Sequence, residues 1–199
     1  NRSKTVSEKT GDFDVLVNVH EHMMIEIPVR DGVQLRPMQT HDAEPLLAIM
    51  ERDPTIRNRV AVASNMKNVE GVHEQVDAYK ADDSVIRYVI ENDDDVVGLV
   101  SFWRDTGYFG YTPLKHTFGF GFFVDPNQRG EYLATDSVRA LMQTAQSHFR
   151  VDAFIAFTEA DNAASQGVLK SLGFTQTDKH FIEPHESWKE SMWQKDVRK

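Results

Sequence analysis

The sequence predicts a mixed α/β (α+β) domain, and three observations carry that expectation. The chain has 199 residues, 40% of them apolar, which is enough for one sizeable core and short for two. Segments rich in β-branched and aromatic residues alternate with segments whose apolar residues recur at helical spacing. Turn-forming Gly, Asp and Asn residues divide them at strand-length intervals. Residues 1–23 read as a partly flexible N-terminal extension, the first dozen being polar, and residues 24–199 as a single domain.

The elements follow in order. Phe13 to Val29 carries apolar and β-branched residues, Arg30-Asp-Gly32 offers a hairpin turn, and Val33 to Met38 alternates, so two strands are expected. Within the first, His20-Glu-His22 would put two imidazoles on one strand face, a pair without the third ligand that a metal site needs. Thr40 is placed to cap a helix through Leu46, Leu47 and Met50, with Pro45 in its first turn. Val69 to Ala81 forms a second helix with Val69, Val72, Val76 and Tyr79 on one face. Val85 to Glu91 and Val96 to Trp103 make a hairpin around the acidic tip Asn92-Asp-Asp-Asp95, which reads as a solvated turn. Lys115 to Val124 is a strand and Leu133 to Arg150 a helix. Ala153 to Thr158 is a strand, Asn162 to Leu172 a helix stopped by Gly173, and Phe174 to Ile182 and Ser187 to Gln194 close as strands.

Composition narrows the chemistry. The absence of cysteine excludes disulfides, thiolate metal sites and a cysteine nucleophile, and fits a reducing compartment. No apolar run reaches the roughly 18 residues of a membrane span, and the first residues lack the apolar core of a signal peptide. The expectation is a soluble, cytoplasmic protein. It starts at Asn rather than Met, which reads as a processed or trimmed start. A formal charge of −9 argues against broad contact with nucleic-acid phosphates and is compatible with a cationic substrate.

Two segments carry the functional signal. Asp125-Pro-Asn-Gln-Arg-Gly-Glu-Tyr-Leu-Ala-Thr-Asp-Ser-Val138 leaves a strand, turns and opens a helix, whose free N–H groups and macrodipole suit an anion. Taken alone it is more simply a change of chain direction. Asp161-Asn-Ala-Ala-Ser-Gln-Gly-Val-Leu-Lys-Ser-Leu-Gly-Phe174 follows the next strand and ends in Leu-Gly-Phe. The ordered set resembles the GCN5-related N-acetyltransferases (GNAT), in the branch of the ribosomal-protein N-terminal acetyltransferases (RimJ/RimL-like). It rests on Val-Asp-Pro at 124–126, Gln-Arg-Gly at 128–130, Ala-Thr-Asp-Ser-Val at 134–138, Asn-Ala-Ala-Ser at 162–165 and Leu-Lys-Ser-Leu-Gly-Phe at 169–174.

The resemblance implies a twisted, mostly antiparallel sheet of about seven strands with flanking helices, splayed at a central cleft that takes acetyl-CoA as co-substrate. Phe122, Phe123 and Val124 would pair with the pantetheine arm through their backbone, as an added strand does. Arg129, Gly130, Glu131, Tyr132, Leu133, Ala134 and Thr135 would cradle the pyrophosphate. Asn162 would bond to the pantetheine, and Ser165, one turn along, would protonate the thiolate. The bland alternatives are a helix cap for Asn162 and a solvated helix residue for Ser165. The acceptor implied is a small-molecule or peptide amine, with no metal, nucleic acid or membrane. Oligomeric state is open, a homodimer included.

The chain departs from the pattern in three places. Gly119 stands where the branch carries an acidic residue, which leaves Glu183, or His180 as second choice, to act as base. Tyr132 replaces the central Gly of the pyrophosphate loop, and Glu131 adds negative charge there. Trp103, Tyr108, Phe109 and Tyr111 suit either an acceptor pocket or a shield for the sheet edge. Two functions therefore stay open: an N-acetyltransferase, or a weak or inactive relative working as a binding module.

Overall fold

A computed structural model describes residues 17–105, 116–182 and 189–197. Eight strands form one open sheet in the order β1-β2-β3-β4-β5-β6-β8-β7. They are β1 (Ile27–Arg30), β2 (Val33–Pro37), β3 (Val85–Asn92), β4 (Asp95–Arg104), β5 (Thr117–Val124), β6 (Ala153–Glu159), β7 (Thr175–Ile182) and β8 (Lys189–Asp196). Every neighbouring pair is antiparallel except β5–β6. The β3–β4 hairpin turns through Asp93 and Asp94, both at positive φ, which matches the right-handed twist of its strands.

Seven helices flank the sheet among the described residues: α1 (Val19–Met23), α2 (Ala43–Arg52), α3 (Ile56–Arg59), α4 (Ala61–Ser64), α5 (Val69–Ala81), α6 (Leu133–His148) and α7 (Ala163–Ser171). On one sheet face Tyr88 donates from its hydroxyl to the Met23 carbonyl at 2.6 Å, and Phe118 stacks on Phe149 just past α6. On the other face Arg87 reaches the α5 carbonyl of Gln75. Buried Leu35, Ile49, Val76, Phe102, Phe120 and Leu141 belong to one continuous core. Burying an aliphatic or aromatic side chain of this kind contributes about 1.5–3 kcal/mol.

Three sequence expectations need correction. His20-Glu-His22 lies in helix α1 rather than on a strand, because Asn18 accepts the Glu21 N–H at its N-terminus and Val19 and Met23 share a buried face. His20 Nε2 then contacts the Val85 carbonyl at 2.7 Å, and His22 stacks on His148. Thr40 does not cap α2; it opens a 3-10 turn, Thr40–Asp42, in which the Asp42 carboxylate accepts the Gln39 N–H at 2.7 Å. The stretch between the two expected helices is itself helical. Asp53 accepts the Thr55 N–H at 3.1 Å, and the chain turns through α3 and α4 with Ile56, Val62 and Ala63 buried.

Candidate active site

The sheet opens where β5 and β6 part. Their parallel ladder covers only Thr117↔Ala153, Phe118↔Phe154 and Gly119↔Ile155, while β6 continues along β8 to Glu159↔Glu190. Past Gly119, β5 keeps its partner β4 on one side only, so the backbone of Phe120 to Val124 faces a cleft on the other. Two cavities occupy it, one of about 730 Å³ and one of about 320 Å³. They share Arg59, Val60, Phe122, Asn162 and Ser165.

The larger cavity gathers most of the residues expected to meet the cofactor. From β5 come Phe122, Phe123 and Val124, from the following loop Arg129, Gly130 and Tyr132, and from α6 Leu133, Ala134 and Thr135. Asn162 and Ser165 close it from α7. Glu131 does not line it: its side chain is exposed and its carbonyl accepts from Arg30 Nη1 at 2.7 Å.

Local chemistry shapes this loop. Asp125 accepts the Asn127 N–H at 3.0 Å and its own carbonyl accepts from Gln128, so Pro126–Gln128 closes as a 3-10 turn. Arg52 of α2 grips the same carboxylate with two bonds, Nε at 3.2 Å and Nη2 at 2.6 Å. Burial works to raise the Asp125 pKa, but the Arg52 and Asn127 bonds and the Arg52 and Arg129 charges outweigh it and hold the carboxyl below its ordinary value. Arg129 is tied in turn to Asp53. The backbone N–H groups from Arg129 to Thr135 donate to no acceptor among the described residues. A Cβ built on Gly130 would meet nothing within 4 Å. Seven successive free donors at the start of a helix beside an open cavity fit a pyrophosphate, so the donor set suits CoA.

Tyr132 solves the problem its size raises by adopting the glycine-like conformation itself. Its φ is 58° and ψ 21°, and it is 72% exposed, with the ring turned toward solvent. The N–H direction needed at the start of α6 is thus kept, at a backbone cost of roughly 1–2 kcal/mol.

Asn162 proves to be a helix cap, its Oδ1 accepting the Ser165 N–H at 3.2 Å. That bond leaves the amide nitrogen uncommitted among the described residues and fixes Ser165 where the cavities meet. Ser165 is half-buried, and its hydroxyl has no partner among the described residues.

The smaller cavity explains Gly119. A Cβ at that position would lie 2.3–2.5 Å from Cε2, Cζ2 and Nε1 of Trp103, far inside contact distance. The indole spreads over Gly119 and reaches Gly121, whose Cβ would come 3.9 Å from Cζ3. A tryptophan therefore fills the space that a carboxylate side chain at 119 would use, which the cross-strand pairing Trp103↔Gly119 makes possible. Of the four aromatic residues considered for this pocket, Trp103 lines it; Tyr108, Phe109 and Tyr111 lie outside the described residues, as does Glu183. His180 is exposed on β7, bonded to Ser191 at 3.3 Å, and lines neither cavity. Sequence reasoning missed the buried Glu190 of β8, Arg87 of β3 and the α3–α4 segment, all of which line the cleft. For Arg87 a signal existed: a lone charge inside the run Val85-Ile-Arg-Tyr-Val-Ile90. No group of three or more metal ligands occurs among the described residues, and no described helix is long and apolar enough to cross a membrane.

Known proteins match this architecture. A RimL ribosomal-protein alpha-N-acetyltransferase in complex with coenzyme A superimposes with a TM-score of 0.73 at 16% identity, covering 87% of this chain and 98% of its own. The microcin C7 self-immunity acetyltransferase MccE, in complex with acetyl-CoA and AMP, gives 0.70 at 17% identity, covering 85% and 94%. RimJ of Mycobacterium smegmatis, in complex with CoA-disulfide, gives 0.70 at 18% identity, covering 86% of each chain. No curated protein sequence matches the chain. The sequence model of the acetyltransferase (GNAT) domain matches residues 33–175, more than two thirds of the chain, and the protein therefore belongs to the GNAT acetyltransferase family.

Proposed function

We propose that the protein is a cytoplasmic N-acetyltransferase that moves the acetyl group of acetyl-CoA to a primary amine by direct attack. The observation that carries the reading is the meeting of a CoA-sized and an acceptor-sized cavity at Ser165. The amine nitrogen attacks the thioester carbonyl, the C–S bond breaks, and the thiolate takes a proton from the Ser165 hydroxyl. Backbone N–H groups on the open side of β5 near Phe123 polarise the carbonyl. The ammonium proton leaves to a carboxylate, and Glu183 and Glu190 are the two candidates. The likeness to structures holding coenzyme A or acetyl-CoA supports the choice of co-substrate.

The acceptor is a small or peptide amine. The test is thiol release from acetyl-CoA over a panel of amines, repeated with Ser165→Ala, Glu183→Gln and Glu190→Gln. Ser165→Ala is expected to lower kcat by about 10- to 100-fold with little change in acetyl-CoA affinity. Undiminished turnover removes Ser165 from the acid role, and whichever glutamine variant flattens the alkaline-rising limb of the rate profile identifies the base.

A further inference from the structure

The smaller cavity holds a charge that acetyl transfer alone does not require. Arg87 sits on β3 directly across from Ser101, which in turn pairs with Gly121, so these three residues share one sheet face and all line the cavity. Ser101 and Gly121 are small and leave a trough along that face. Trp103 bounds it on one side, and Val60 and Val62 of the α3–α4 segment border it as well.

The Arg87 guanidinium has no carboxylate partner among the described residues. Nη1 donates to the Gln75 carbonyl at 2.8 Å, whereas Nε is buried with no acceptor. Three other arginines around the cleft are paired: Arg52 with Asp125, Arg59 with Asp161 and Arg129 with Asp53. Arg104, which borders the same cavity, also reaches only a backbone carbonyl, that of Val17, and its Nε is likewise buried without an acceptor among the described residues. The cavity thus carries two arginines without a carboxylate partner there, of which Arg87 shares the face of Ser101 and Gly121. Burial pushes the Arg87 pKa down to about 10, and the Tyr79 and Asp82 charges only partly offset it. A half-buried cation whose Nε is shut off from acceptors is costly unless a counter-ion is supplied.

Resting on the acetyltransferase reading, we infer that the acceptor is a compact amine carrying an anionic group, carboxylate or phosphate, which docks on the Arg87 guanidinium while its amine faces Ser165. Two strand spacings separate Arg87 from Gly121, about 10 Å between backbones, and the arginine side chain spans part of that. Amine and anion therefore belong to one small molecule. The cavity, about 320 Å³, is the size of a small metabolite site. Guanidinium supplies the paired donors that carboxylate and phosphate accept, and a neutral amine would leave them unmet.

The experiment compares matched acceptors on the full chain with acetyl-CoA: free amino acids against their amides, and phosphoethanolamine against ethanolamine. The anionic member is expected to be preferred at least about tenfold in kcat/KM, with the two sets distinguishing carboxylate from phosphate. In Arg87→Met that preference collapses toward one through KM, and Arg87→Lys recovers part of it. Equal use of both members by the unsubstituted protein, or a preference that Arg87→Met leaves intact, overturns the inference. Turnover of no amine at all counts against the acetyltransferase reading, and a second readout still decides the anion site. Inorganic phosphate or acetate should raise the thermal midpoint further in the unsubstituted protein than in Arg87→Met, since any binding at the Arg129–Thr135 donors is common to both; equal shifts in both overturn it.

Discussion

Replacing Gly119 with alanine tests the reason this chain lacks an acidic residue at that position. The added Cβ would stand 2.3–2.5 Å from three atoms of the Trp103 indole, where ordinary contact begins about an ångström further out. The ring borders the smaller cavity and must swing into it or drag β4 away from β5. Overpacking of this kind costs about 1–3 kcal/mol. Without the ring the clash vanishes, and alanine replaces a strand glycine with a gain of roughly 0.5–1 kcal/mol. Urea unfolding of the two single variants, Gly119→Ala and Trp103→Ala, and of the double variant therefore gives a coupling energy of about 2 kcal/mol. The displaced indole should also raise the acceptor KM in Gly119→Ala. A Gly119→Ala cost that is the same with and without Trp103 refutes the argument, because the ring would then not be what excludes a side chain.

Two further outcomes follow from the pyrophosphate loop. Tyr132→Gly removes left-handed strain at an exposed ring and should stabilise the fold by about 0.5–1 kcal/mol in chemical unfolding, with acetyl-CoA affinity changed by less than about threefold; a tenfold tightening would mean that the ring obstructs the site. Asp125 has a folded pKa below its unfolded one, so its contribution to stability is present above the ordinary carboxylate range and is lost as pH falls through the lowered value. Arg52→Met removes the strongest lowering influence and leaves burial, so the variant should be less stable at neutral pH and its stability should fall less steeply as pH is lowered through the carboxylate range; parallel stability–pH curves for the two proteins contradict this.

The sequence made the central features legible for a physical reason. Strand alternation and the Leu133–His148 period follow from which side chains must face a core, and local chemistry marks Asp125-Pro-Asn-Gln128 and the Asn162 cap. Those features are short-range and mark a turn and a helix cap; it is the resemblance of the ordered set to the GNAT acetyltransferases that implies a cofactor role for them. The acceptor side could not be read in this way. Trp103 covers Gly119 only because β4 and β5 pair in one register, and Arg87 reaches the cavity only through the row Arg87–Ser101–Gly121. Such cross-strand neighbours are 14 to 20 residues apart in the chain, and no local pattern encodes them. Helix α1 was misread because five residues with two buried positions look alike at strand and helical period until Asn18 is seen to cap them. The segment Ile56 to Ser64 was missed because its two helices are of four residues each, too short to show a period.

Calorimetric titration with acetyl-CoA tests the account most directly, because every step depends on the free N–H groups from Arg129 to Thr135 holding the pyrophosphate. Saturable one-to-one binding in the micromolar range is predicted. An absence of binding at millimolar acetyl-CoA would contradict the account and leave a GNAT fold that has lost its reaction.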